Sequence, residues 1–180
     1  MVKKNNYIEP VLPTYCETQR FRQLWIWALV ILPTVVTMLS LGWAIYNTPS
    51  NNSILILITL IVGISLSSII YLIYIACLDT KVTVDGVHIK FRPFHRKWIQ
   101  FPFETIQDAE SCKYNPIRDY GGWGIRYGTK GKAYNVSGNV GVLIKFYNGK
   151  FILIGSQNHL ELSSTINIHL SKVNKHELLN

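Results

Sequence analysis

Leu24-Trp-Ile-Trp-Ala-Leu-Val-Ile-Leu-Pro-Thr-Val-Val-Thr-Met-Leu-Ser-Leu-Gly-Trp-Ala-Ile-Tyr46 and Ile54-Leu-Ile-Leu-Ile-Thr-Leu-Ile-Val-Gly-Ile-Ser-Leu-Ser-Ser-Ile-Ile-Tyr-Leu-Ile-Tyr-Ile-Ala-Cys-Leu78 flank a polar heptad at 47–53. No Asp, Glu, Lys or Arg occurs anywhere in 24–78. A hydrocarbon core about 30 Å thick takes roughly 20 apolar helical residues to cross, so each run is long enough with some tilt. The reading is a transmembrane hairpin at 24–78, preceded by an N-terminal segment at 1–23 and followed by a domain at 79–180. Trp25 and Trp27 open the first run, Trp43 and Tyr46 close it, and Tyr71 and Tyr74 end the second. Such rings settle at headgroup depth. Pro33 is tolerated inside a span, where neighbouring groups satisfy the freed carbonyl. Gly63, Ser67 and Ser68 in one run, with Ser40 and Ala44 in the other, let the two helices approach closely. The absence of charge in either span argues against a proton relay or ion pathway.

The chain has 180 residues and a net charge of +8. Beside two apolar spans, topology is the first reading of that charge, because Lys and Arg are retained on the cytoplasmic side of short flanking segments. Lys3, Lys4, Arg20 and Arg22 precede the spans, and Lys81, Lys90, Arg92, Arg96 and Lys97 follow them, while 47–53 has no basic residue. Both termini are therefore expected in the cytoplasm of a multi-pass inner-membrane protein. Residues 1–22 are too long and polar for a signal-peptide leader, so the first span should stay in the mature protein. Pro10 and Pro13 disfavour a long helix before Thr14, and a short interfacial helix is expected to lead into the span. Cys16, Cys77 and Cys112 stand in no ligand spacing and are expected to be free thiols.

After Leu78 the periodicity changes to two. Lys81–Asp85 and 87–91 alternate around Asp85-Gly86, a hairpin signal. Further strands are expected at 97–101, 109–114, 133–137, 140–146 and 151–154, with a tight turn at Asn148-Gly149. Asn158-His-Leu-Glu161 reads as a capping box opening a helix whose Leu162, Ile166, Leu170 and Val173 share one face. The expected fold is thus a mainly-β domain of about seven antiparallel strands closed by a C-terminal helix.

Several stretches carry a likeness to a known layout: Gln19-Arg-Phe-Arg-Gln23 with Trp25, Tyr114-Asn-Pro-Ile-Arg118, Gly121-Gly-Trp-Gly-Ile-Arg-Tyr-Gly128, Ala133-Tyr-Asn-Val-Ser-Gly138 and Ile154-Gly-Ser-Gln157. With the strand order and capping helix, the chain resembles small bacterial two-span membrane proteins bearing a pleckstrin-homology-like domain. The resemblance implies a PH-like β domain on the cytoplasmic side and brings no catalytic motif. Eukaryotic PH domains that bind phosphoinositides place basic residues in the loop after the first strand. That loop here is Asp85-Gly86, so headgroup-specific binding is not carried over.

Two tracts are candidates for contact. A first strand leaving the membrane and a second returning would bring Arg92-Pro-Phe-His-Arg-Lys-Trp98 to the inner leaflet. There Arg92, Phe94, His95, Arg96, Lys97 and Trp98 would meet anionic lipid, each basic side chain gaining about 1 kcal/mol. The second tract, at 115–132, is rich in Gly and aromatics, and Arg118, Tyr120, Trp123 and Arg126 are its candidate binding residues. Glycines in such tracts more often supply bulges and positive φ. No phosphate-loop spacing occurs, the five histidines form no metal-ligand array, and no nucleophile motif or carboxylate pair is present, so neither metal nor cofactor is expected. The expectation is a non-enzymatic membrane protein holding its domain at the inner surface for lipid or protein contact, with an oligomeric scaffold as one form of it. A membrane enzyme with its site at 115–132 is the alternative, and nucleic-acid binding by the basic domain ranks below it.

Overall fold

The computed structural model describes residues 13–47, 53–128 and 131–177. The expectations for Lys3, Lys4, Pro10 and most of the heptad lie outside the described residues. The chain divides into two compact units, one being Arg20–Ala76 and the other comprising the residues on either side of it.

The first unit is a helix pair, α1 (Leu24–Asn47) and α2 (Ser53–Ile75). At 1.5 Å per residue each is about 35 Å long. Neither contains a buried residue, and large apolar side chains such as Leu29, Leu32, Leu39 and Ile64 lie open. A core helix of a water-soluble fold would be sealed; these are long and apolar enough to cross a membrane, with no residue of the apolar window buried by the chain. Several of their hydroxyls are satisfied within the helices. Thr34 donates to the Val30 carbonyl, Thr37 to Pro33, Thr59 to Leu55, Ser65 to Ile61 and Ser68 to Ile64. Such self-satisfaction is what an apolar solvent demands of a polar side chain. A Cβ on Gly63 would stand 3.4 Å from Met38 Cε, so the small residue sets how closely the helices meet.

Among its described residues the second unit contains nine strands, two α-helices and a 3-10 turn at Phe103–Thr105. One sheet has the order β1-β2-β3-β4, formed by Tyr15–Arg20, Cys77–Thr83, Gly86–Arg92 and Ile99–Pro102. The other has the order β5-β8-β9-β7-β6: β5 is Ile106–Lys113, β6 Gly124–Gly128, β7 Gly131–Asn135, β8 Val140–Phe146 and β9 Phe151–Gly155. A short helix α3, Pro116–Tyr120, precedes β6, and α4, His159–Glu177, ends the fold. The strand alternation buries Leu78, Val82, Val87, Ile89 and Phe91 from one sheet and Val142, Ile144 and Ile154 from the other. From α4 come Leu162, Ile166 and Leu170, the face read from the sequence, and Asn167 Nδ2 donates to the Ala109 carbonyl at 2.9 Å, fixing the helix on β5.

The structure departs from the expectations in five places. Tyr15–Arg20 is strand, not interfacial helix: Thr14 N donates to the Val82 carbonyl, and Thr18 meets Asp79, so β1 runs antiparallel along β2. The second apolar run does not end the helix at Leu78, because Cys77 and Leu78 belong to β2 and to the domain core. Hydropathy does not distinguish lipid from protein interior. The first turn is Val84-Asp85, with Thr83 paired to Gly86. Gly86 has φ +152°, and a Cβ there would strike the Phe101 carbonyl of β4, so its glycine is needed for strand approach. The described residues form nine strands, not about seven. Finally, β7 and β9 are parallel, so the domain is not wholly antiparallel.

Candidate functional site

The first candidate tract begins where the chain enters the domain. Cys77 lies two residues beyond the end of α2 and is the register partner of Arg92. The loop that follows Arg92 therefore starts about 5 Å from a residue that comes two positions after α2 in the chain. Arg92 itself is engaged. Its Nε lies 2.8 Å from Asp79 Oδ2 and its Nη2 3.1 Å from Oδ1, and Thr18 Oγ1 donates to the same Oδ1 at 2.8 Å. Asp79 so ties β1, β2 and β3 together at this end, and the forked contact raises the Arg92 pKa. His95 turns inward. Its backbone N–H donates to the Phe91 carbonyl, its Nδ1 accepts the Phe91 N–H at 3.2 Å, and its ring stands edge-on to Tyr134 at 5.8 Å. Burial, with the nearby Lys132 ammonium, lowers its pKa below the ordinary 6.5, leaving the ring neutral at pH 7.

With Arg92 and His95 committed to the frame, the outward face of the loop is Phe94, Arg96, Lys97 and Trp98. Phe94 is 65% exposed and Trp98 40%, and both cations are exposed. Lys81 Nζ sits 4.5 Å from the Trp98 ring and joins this face from β2. Sequence reasoning missed Lys81 as a member; its position two residues after Asp79 on the same strand was the available signal. Exposed aromatics interleaved with cations are what an anionic interface retains.

The second tract is folded into packing. Asn115 caps α3, its Oδ1 accepting the Arg118 N–H at 3.0 Å while its own N–H donates to Asp119 Oδ2 at 2.8 Å. Arg118 is exposed beside Asp119, with Nε 3.3 Å from Oδ1. Tyr120 is in the core with Tyr114, Ala133 and Leu153, and burial raises its pKa. Trp123 Nε1 donates to the Gly138 carbonyl at 3.1 Å, and Arg126 Nε donates to the Trp123 carbonyl at 3.1 Å. A Cβ on Gly128 would strike the Asp119 carbonyl and the Tyr120 ring. The structure brings Trp123 and Arg126 together and places Tyr120 inside.

A third cluster was not foreseen. Glu17 of β1 accepts from Tyr15 OH at 2.7 Å and Ser156 Oγ at 2.6 Å on one oxygen, and from the Gln157 N–H at 2.9 Å on the other. Gln19 Nε2 donates to the Gly155 carbonyl at 2.6 Å. These bonds clasp the strand that leads into α1 onto the β9–α4 junction. Burial raises the Tyr15 pKa, so the phenol stays a donor. No three metal-ligating side chains gather among the described residues.

No protein-family model, curated protein or solved structure matches the chain. The fold defines its class: two apolar helices able to span a membrane, joined to a mainly-β domain of two sheets and a final helix.

Proposed function

We propose that the chain is an integral protein of a bacterial cytoplasmic membrane, with both termini in the cytoplasm and a PH-like domain held against the inner leaflet. The observation that carries this reading is the register of Arg92 with Cys77, which starts a basic–aromatic loop across from a residue two positions after an apolar helix in the chain. Phe94 and Trp98 enter the headgroup region, while Arg96, Lys97 and Lys81 attract anionic lipid at about 1 kcal/mol each. So weak a contact could not recruit a soluble protein. Tethered by two spans, it is effectively intramolecular and suffices to orient the domain. The role is non-enzymatic: a scaffold presenting the remaining surface to protein or lipid, open to assembly with further copies. Nothing in the Arg118–Trp123–Arg126 geometry favours the enzyme alternative.

The test is backbone hydrogen exchange on the full chain in nanodiscs of neutral lipid, with and without one-third phosphatidylglycerol. Anionic lipid is expected to slow exchange at 93–98, and Arg96→Gln/Lys97→Gln to abolish the difference. Equal exchange in both lipids would remove the proposal.

A further inference from the structure

At the end of the β2–β3 hairpin remote from Cys77 the two sheets leave a cleft of about 1050 Å³. Clefts of about this size take small molecules. Phe101 of β4 forms one wall and packs against Phe146 of β8 with ring centroids 5.7 Å apart. Ile152 and Tyr127 continue the apolar lining, and Lys132 and Lys150 carry its charge. Register places the two cations. Lys132 pairs with Tyr127 on one side and Ile152 on the other, and Lys150 precedes Ile152 by two residues. Side chains two apart share a sheet face, so both lysines leave that face about 8 Å apart at Cα. Lys132 Nζ lies 5.4 Å from the Tyr127 ring and 4.8 Å from Tyr134, electron-rich faces that hold the ammonium at the site. Among the described residues no carboxylate lines the cleft. Asp85, behind the lining residue Gln100, is occupied by Thr83, His88 and Gln100.

An apolar slot with two cations and no anion fits one apolar body bearing one negative group. We propose that this cleft binds a single-chain acyl carboxylate of the fatty-acid class, its chain between the Phe101–Phe146 pair and Ile152 and its carboxylate on Lys132 and Lys150. An acidic peptide fits less well, because its backbone donors and acceptors would enter walls built largely of aromatic rings. The choice of a single-chain source rests on the membrane-surface reading. In that reading the domain stands in water beside the leaflet, reached by a single-chain acid that leaves the bilayer and not by a two-chain lipid that stays in it. The binding chemistry does not depend on that reading.

The full chain in nanodiscs is exposed to diazirine-bearing hexadecanoate, to its methyl ester, and to a two-chain phosphatidic acid with the same photoactivatable group. Peptides carrying Phe101, Phe146 or Ile152 should be labelled by the carboxylate. Labelling should fall at least fivefold in Lys132→Gln/Lys150→Gln and hold in Lys145→Gln, an exposed lysine that does not line the cleft. Ile152→Phe, which fills the slot without adding polarity, should exclude the probe. Labelling confined to 24–75, equal labelling by the ester, retention in either cleft variant, or stronger displacement by an apolar acidic peptide would overturn the proposal. Cleft labelling by the phosphatidic acid would overturn the single-chain source. Arg96→Gln/Lys97→Gln should leave cleft labelling unchanged, which separates this test from that of the membrane surface.

Discussion

Leu39 and Leu78 are the same residue type in one uninterrupted uncharged stretch, yet one lies open on α1 and the other is wholly buried in β2. Apolarity alone did not decide between them. What changes near residue 76 is period: the helices are apolar around their whole circumference, whereas β2 and β3 bury alternating side chains against a second sheet. An all-round apolar helix left uncovered needs a solvent other than water; an alternating strand makes its own interior.

That contrast can be broken most forcefully by truncation. Ile89→Ala in the sealed core should cost about 2–5 kcal/mol, and Leu39→Ala on the open helix less than about 0.5 kcal/mol. Urea unfolding of the β domain in the detergent-solubilised chain reads both. Equal effects would mean that α1 is covered in the native protein. Next in size is Gly86→Ala, expected to cost about 1–3 kcal/mol because the positive φ and the Phe101 carbonyl both oppose a side chain. Glu17→Gln should cost about 1–2 kcal/mol by weakening three charge-assisted bonds, and should speed exchange at Ser156 and Gln157.

The smallest effect is that of pH. His95 and His169 both have pKa values pushed below 6.5, by burial first and then by Lys132 and Lys172 respectively. The folded state thus binds fewer protons than the unfolded one, so the stability they contribute is complete above pH 6.5 and is lost as pH falls through the folded values. His169 stacks on Phe103 at 5.2 Å and bonds Thr14 Oγ1 at 3.0 Å, so acid should loosen β1 as well as α4. The melting temperature should fall from pH 7 to pH 5, and His169→Gln should flatten the slope. An unchanged slope would show that the His169 ring does not titrate on unfolding.

The helices, the β2–β3 hairpin and the apolar face of α4 were legible because each repeats its period over many residues. β1 was not: in Tyr15-Cys-Glu-Thr-Gln-Arg20 the inward positions are Tyr15 and Gln19, and a buried glutamine bonded to Gly155 reads as a surface residue. β6 was hidden because glycines at both ends of Gly124-Ile-Arg-Tyr-Gly128 suggest a loop. The parallel β7–β9 pairing is a long-range event without local signature. At the site, the basic loop was visible as composition, but the withdrawal of Arg92 to Asp79 and of His95 to Tyr134 depends on partners far along the chain or on another strand. The cleft is assembled from both sheets and has no contiguous motif at all.

The most direct test of the central claim is a fluorescent reporter fused after Asn180, followed through carbonate washing of cell membranes with the cell exterior open to protease. The account predicts fluorescence that stays with the washed membrane and survives external protease. Reporter released by carbonate, or destroyed from outside intact cells, would contradict it.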